Sequence, residues 1–92
     1  MDLGLSGRVA VVTAASKGLG RASALALAAE GARVLVSART APLLDELVAE
    51  VADAGGEAHA VVGDMTDAGT PQRLVDAALE RWGRLDVVVG NA

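Results

Sequence analysis

One run near the start of the chain, RVAVVTAASKGLG at positions 8–20, constrains the fold more than any other feature. An apolar stretch typical of a strand ends at Thr13, a loop of small residues follows, and an alanine-rich helical pattern begins at Gly18. The first N–H groups of a helix have no partner inside it and carry the positive end of its dipole, so they attract anions. Glycines such as Gly18 and Gly20 let a ligand approach the backbone closely because they lack a Cβ. The run therefore predicts a strand, a tight turn and a helix that together hold a phosphate, with Lys17, the only lysine, in the same loop.

Strand-like and helix-like patterns alternate through all 92 residues. We predict strands at 8–13, 33–37, 58–62 and 86–90, and helices at 18–30, from Thr40 to the Gly55-Gly56 pair, and from Thr70-Pro71 to Gly83. Thr70 is expected to cap the third helix, with Pro71 in its first turn. In the first helix, Ala22, Ala26 and Ala29 are expected to face the sheet. Alternation of this kind predicts an α/β fold, a partial doubly wound (Rossmann) parallel sheet in the order 3-2-1-4 with right-handed crossover helices.

The strand order reverses between strands 1 and 4, and the carboxyl ends of the strands at such a point form the ligand cleft. Residues 13–20 and 90–92 are expected to face it. The segment Val87-Val88-Val89 has no polar alternation, which is typical of a strand covered on both faces, yet it would be an edge strand here. We therefore expect residues 1–92 to be the N-terminal part of a single domain, truncated after strand 4. We also expect the polypeptide alone to be poorly soluble or to pair through strand 4.

The composition excludes several classes of function. The formal net charge is −4 with dispersed basic residues, and Trp82 is the only aromatic side chain, so a nucleic-acid partner is not expected. No apolar stretch approaches the roughly 20 residues of a membrane span. The absence of cysteine removes disulfides, thiolate catalysis and zinc–thiolate sites, and it fits a cytoplasmic location. No metal site is predicted, because His59 is the only histidine and the chain has no cysteine.

Several segments together resemble the N-terminal half of the short-chain dehydrogenase/reductase family. The family motif Thr-Gly-x-x-x-Gly-x-Gly is similar to Thr13-Ala14-Ala15-Ser16-Lys17-Gly18-Leu19-Gly20, where Ala14 replaces the first glycine. Asp64, in VGDMT just past strand 3, matches the family's acidic residue, and LDVVVGNA at 85–92 resembles its strand-4 motif, with Gly90 in place of the first asparagine. The opening LSGRVAVVT at 5–13 is also similar to the family's usual start.

The resemblance implies a nicotinamide dinucleotide cofactor and a carbonyl or alcohol substrate. It places Asp64 and Met65 at the adenine, where the carboxylate accepts a hydrogen bond from the amino group. Asn91 and Ala92 would lie beside the adenine ribose. It also implies that the complete protein is a homo-oligomer, through elements that these 92 residues do not contain. A 3-oxoacyl thioester is a common substrate in the family, although no residue here indicates the substrate.

The charges after strand 2 indicate which dinucleotide is bound. Enzymes that use NAD place an acidic residue there for the ribose 2′-hydroxyl, but no acidic residue occurs between positions 30 and 45. Arg39 is suited to a 2′-phosphate, which Lys17 could approach from the glycine loop. We therefore predict NADP(H), as NADPH, over NAD(H). The predicted cofactor-binding residues are Thr13, Ser16, Lys17, Gly18, Leu19, Gly20, Ser37, Arg39, Thr40, Asp64, Met65, Asn91 and Ala92.

No catalytic residue is predicted in this chain. The family reduces carbonyls with a tyrosine as general acid and a lysine four residues on, but this chain has no tyrosine and its only lysine lies in the cofactor loop. Two hypotheses stay open. In the first, the chain is the NADP(H)-binding half of an oxidoreductase that transfers hydride to or from a carbonyl or alcohol. In the second, it is a non-catalytic dinucleotide-binding or nucleotide-binding module, or a truncation product.

Overall fold

The computed structural model describes residues 5–15 and 18–90. Strands and helices alternate in chain order: β1 (Val9–Val12), α1 (Gly18–Ala29), β2 (Arg33–Ala38), α2 (Ala41–Asp53), β3 (Glu57–Val62), α3 (Thr70–Trp82) and β4 (Val87–Val89). The strands pair in parallel in the order β3-β2-β1-β4. The α/β fold and the strand order predicted from the sequence are confirmed.

The sheet separates two apolar layers, because successive side chains of a strand point to opposite faces. On one face, Val12, Val34 and Val36 pack with Leu44 and Leu47 of α2. The opposite face is covered by α3, as the cluster of Val9, Val11, Leu35, Leu74 and Ala78 shows. The central strands β1 and β2 are therefore almost fully buried. They form the floor from which the loops at their carboxyl ends project.

The prediction for the buried face of α1 is wrong. Ala22, Ala26 and Ala29 are exposed, whereas Gly20 and Ala24 are buried. Small apolar residues occur all around this helix, so its sequence does not single out one face. The face is set instead by the turn after β1, which brings the start of α1 against the backbone of residues 14 and 15.

The start of α3 also differs from the prediction. Thr70 is the first residue of the helix and Gly69 is its N-cap, so the expected Thr70 cap is wrong. Thr70 is fully buried, and its hydroxyl accepts a hydrogen bond from Arg73 at 3.4 Å instead of capping the helix. The N–H group of Gly69 already has a hydrogen-bond partner in the preceding turn, because it donates to Asp67 Oδ1 at 3.1 Å. At the other end Gly83 closes α3 in the left-handed conformation, with φ of 75°.

Within the described residues, β4 pairs with β1 alone. Val87 and Val89 are half-buried, and Val88 is 61% exposed. The coverage of both faces that the valine run predicts is therefore not provided by this part of the chain.

Candidate functional site

A cleft of about 780 Å³ lies at the carboxyl ends of the strands, where the strand order reverses between β1 and β4. Five segments line it: the turn after β1, the first turn of α1, the stretch from β2 into α2, the loop after β3, and the residue after β4. The lining residues are Ala14, Gly18, Leu19, Gly20, Ala38, Arg39, Thr40, Leu43, Gly63, Asp64, Met65, Thr66 and Gly90. The structure thus brings together seven of the residues predicted for the cofactor, which are Gly18, Leu19, Gly20, Arg39, Thr40, Asp64 and Met65.

The turn after β1 is held to the strands on both sides of it. Thr13 N–H donates to the carbonyl of Val89 at 3.0 Å, and Ala15 N–H donates to the carbonyl of Ser37 at 3.0 Å. The Thr13 hydroxyl also lies 3.4 Å from the Val89 carbonyl oxygen. Thr13 is buried and fixes the turn from behind, so the cleft surface is formed by the residues that follow it.

Close backbone packing shapes the first turn of α1. A Cβ on Gly20 would overlap the Ala14 carbonyl oxygen and lie 2.8 Å from its carbonyl carbon. Gly18 has a φ of 63°, and a Cβ there would meet no atom within 4 Å. Glycine at position 20 therefore permits close packing within the protein, whereas glycine at 18 permits the backbone conformation and leaves open space for a ligand.

Asp64 presents a carboxylate to the cleft from the loop after β3. Its Oδ1 accepts hydrogen bonds from Thr66 N–H at 2.9 Å and the Thr66 hydroxyl at 2.7 Å. These bonds, with a smaller contribution from the charge of Arg39, hold the pKa of Asp64 below its usual value. Neither bond uses Oδ2. Asp64 is thus an oriented, ionised acceptor with one oxygen available to a ligand.

Arg39 and Thr40 are exposed where the chain passes from β2 into α2. Thr40 is the N-cap of α2, in an extended conformation and without a side-chain capping bond. Arg39 makes no ion pair with any described residue. The end of β2 therefore offers the cleft a guanidinium whose charge is felt at Asp64 across it.

Other predicted cofactor residues do not line the cleft or fall outside the description. Ser37 is 1% exposed, and its hydroxyl has no hydrogen-bond partner among the described residues. It lies on the same side of β2 as Leu35, which packs under α3, so the main chain and not the hydroxyl supports the turn. Ser16, Lys17, Asn91 and Ala92 lie outside the described residues. The roles assigned to these residues, and to the set as a whole, stay predictions.

Several residues of the cleft wall are not among the predicted cofactor residues. Leu43 of α2 is 41% exposed and borders the cleft with Leu19 and Met65, which are also exposed. The Asp-x-Thr spacing of Asp64 and Thr66 is a recognisable turn signal that could have identified Thr66. The apolar periodicity of α2 does not predict that Leu43 lines the cleft, because residues at one edge of an apolar helical stripe border both the core and solvent.

A second cavity, of about 580 Å³, lies at the opposite end of the sheet between the C-terminal ends of α1 and α2. The strands begin there, whereas ligands of open α/β sheets bind at the carboxyl ends. Among residues 5–15 and 18–90, no group of three or more side chains could hold a metal ion. In the same residues, no helix has both the length and the apolar character that crossing a membrane requires.

Comparisons with known proteins agree with this geometry. Residues 8–92 match the family model described as short chain dehydrogenase. The chain is 44% identical over 96% of its length to a 3-oxoacyl-[acyl-carrier-protein] reductase of Synechocystis sp., and 41% identical over 95% of its length to a 7alpha-hydroxysteroid dehydrogenase of Clostridium sardiniense. A metagenomic short-chain oxidoreductase solved in complex with NADP superposes with a TM-score of 0.90 at 42% identity, over 96% of this chain and 40% of that one.

The chain spans about a third of the length of the curated relatives it matches. It spans 36% of the length of the Synechocystis reductase and 33% of that of the Clostridium sardiniense dehydrogenase. A glucose dehydrogenase of Caenorhabditis elegans, solved in its apo form, superposes with a TM-score of 0.87 at 37% identity, and the chain covers 38% of it.

Proposed function

This chain belongs to the short-chain dehydrogenase family, and from that premise we propose that its cleft binds NADP(H) for an oxidoreductase that transfers hydride to or from a carbonyl or alcohol. The observation that carries the proposal is Arg39 at the end of β2, exposed at the cleft and without an ion pair among the described residues. The carboxylate that would bind a ribose 2′-hydroxyl is missing from that position. A guanidinium is suited to the additional phosphate because it donates in a planar fork.

The described residues suit the pyrophosphate and the adenine of the dinucleotide. The open space at Gly18 and the free N–H groups of the first turn of α1 suit the pyrophosphate. Asp64 Oδ2 suits a donor such as the adenine amino group, and the exposed Met65 and Leu43 offer apolar surface to a ring. When bound, NADPH supplies the hydride, while these residues bind and orient it.

No residue of this chain is proposed to carry out the proton transfer. The chain has no tyrosine, and Asp64 is held ionised, so it is an acceptor and not an acid. We propose that the 92 residues alone do not reduce carbonyls and that a complete protein supplies the general acid, the substrate pocket and any homo-oligomer contacts. A 3-oxoacyl thioester is the proposed substrate class, supported by the similarity to the Synechocystis reductase.

The alternative function is a nucleotide-binding module without chemistry. For this polypeptide it is favoured by the missing tyrosine. Both functions require the same cleft, so an assay of carbonyl reduction by the purified chain and by any longer product of the same coding sequence separates them. Reduction by a longer product would support the oxidoreductase, whereas its failure would favour the module.

Calorimetric titration with NADPH and NADH tests the cofactor. We expect NADPH to bind at least about tenfold more tightly than NADH, which corresponds to roughly 1.4 kcal/mol. Arg39→Ala should weaken NADPH to about the affinity of NADH and leave NADH unchanged, because only NADPH carries the 2′-phosphate. Arg81→Ala removes the same charge from the far end of α3, where Arg81 stacks on Trp82, and should change neither affinity. Equal affinities in the unsubstituted chain would refute the assignment to NADP(H).

A further inference from the structure

Ala14 is the one described residue other than glycine with a positive φ, at 52°. An L-residue with a side chain is strained in this left-handed conformation, because its Cβ crowds the following carbonyl. The conformation is imposed by the neighbours of Ala14, since Thr13 is tied to β4 and Ala15 to β2 by backbone hydrogen bonds. The Ala14 carbonyl is also packed against Gly20. The turn therefore cannot relax without breaking contacts to three other segments.

Ala14 is also part of the ligand surface. It is exposed, and it lines the cleft next to the first turn of α1. Gly18 lines the same cleft, and a Cβ built on it would meet no atom within 4 Å. Ala14 therefore adds a methyl group to a cleft wall that the start of α1 leaves open, whereas a glycine at position 14 would offer backbone alone.

We propose that Ala14 sets the dinucleotide affinity of the cleft, because its methyl group holds the pyrophosphate away from the backbone of the turn. The methyl group weakens binding at the pyrophosphate and leaves the contacts of Arg39 and Asp64 with the adenosine end unchanged. This proposal rests on the proposed binding of NADP(H). With alanine at position 14, the site binds its cofactor more weakly than the same turn would with glycine.

The test compares Ala14→Gly with the unsubstituted chain for two ligands, NADPH and adenosine 2′-phosphate. Adenosine 2′-phosphate carries the groups proposed to contact Arg39 and Asp64 but has no pyrophosphate. We expect Ala14→Gly to lower the Kd for NADPH by roughly tenfold, as one added hydrogen bond to a charged group would. The Kd for adenosine 2′-phosphate, measured by NMR titration, should stay unchanged. The melting temperature without ligand should rise by roughly 4–8 °C, because the backbone strain is removed.

Ala14→Asn separates the strain from the methyl group. Asparagine tolerates the left-handed conformation but places a larger side chain in the cleft. We expect this variant to melt no lower than the unsubstituted chain and to bind NADPH more weakly. Tight NADPH binding by Ala14→Asn, or an equal gain of Ala14→Gly for both ligands, would show that the methyl group does not act at the pyrophosphate and would overturn the inference.

The outcomes also distinguish this inference from the function on which it rests. An unchanged NADPH affinity in Ala14→Gly, with NADPH still preferred over NADH, would overturn the role of Ala14 and leave the NADP(H) assignment standing. If neither protein binds NADPH, both the function and the inference are overturned.

Discussion

Asp86 shows how one side chain fastens two neighbouring strands. Its Oδ2 accepts hydrogen bonds from Val9 N–H and from Arg84 Nε, each at 2.8 Å, and its Oδ1 accepts from Arg84 at 2.8 Å and from Arg8 at 3.3 Å. Only 17% of the side chain remains exposed. The contact with Arg84, followed by that with Val9, holds the pKa of Asp86 far below its usual value. The residue therefore fixes the start of β4 beside β1.

We expect Asp86→Asn to lower the melting temperature at pH 7. The melting temperature of this variant should also depend less on pH in the acid range than that of the unsubstituted chain. The folded pKa is depressed, so the carboxylate stabilises the fold at pH values above the unfolded pKa of about 3.9, and this stabilisation is lost as the pH falls below it. The difference in melting temperature between the variant and the unsubstituted chain should therefore become smaller as the pH falls from about 5 to about 2. Thermal melts over that range check this. Asp53→Asn, which removes the same charge from the exposed end of α2, is the control. A difference in melting temperature that does not change with pH would mean that the charge of the carboxylate is not what stabilises the fold.

At the level of elements, the limits of strands and helices could be predicted from the sequence, and the contacts of α1 could not. Six of the seven elements begin and end within one residue of the expected positions, and α2 ends two residues before Gly55, because apolar runs and the glycines at 31, 55 and 83 mark the elements. Nothing in the sequence indicates that Ser37 is buried or that Ala14 is left-handed. Both depend on hydrogen bonds between segments distant in the chain, which local patterns do not contain. Among the residues that line the cleft, those of the glycine motif were predictable and Thr66 could have been recognised from its turn spacing, whereas Leu43 could not.

The junction between β1 and α1 predicts a severe effect of Gly20→Ala. The added Cβ would overlap the Ala14 carbonyl and lie 3.1 Å from Ala15 Cα, and both are backbone atoms tied to other strands. We expect a loss of about 2–3 kcal/mol in the free energy of unfolding, since backbone cannot move aside as a side chain can. Urea denaturation measures it. Gly69→Ala, where a Cβ meets only Asp67 Oδ1 at 3.8 Å, should change stability by less than about 1 kcal/mol. Similar losses in the two variants would show that the contact at position 20 is unimportant.

On the scale of the whole molecule, the sheet is closed on both faces at its centre and is less well covered at β4. The two clusters bury all of β1 and all of β2 except Arg33, but Val88 on β4 is 61% exposed and Leu79 on α3 is 46% exposed. Along its other edge β4 has no strand partner among the described residues, so its N–H and C=O groups on that side are not used by the sheet. An exposed apolar edge strand without lysine or proline is a template for pairing with another chain.

We therefore expect the 92-residue chain to self-associate in a concentration-dependent manner. Val88→Lys should shift it toward monomer, because a charge on an edge strand opposes pairing and the exposed position tolerates the side chain. Sedimentation velocity over a concentration series measures the effect. Ala52→Lys, on the exposed surface of α2, makes the same change in net charge from −4 to −3 and should leave association unchanged. If lysine at position 52 dissociates the chain equally well, charge and not the β4 edge governs association. If the unsubstituted chain is monomeric throughout the series, the β4 edge does not drive pairing at all.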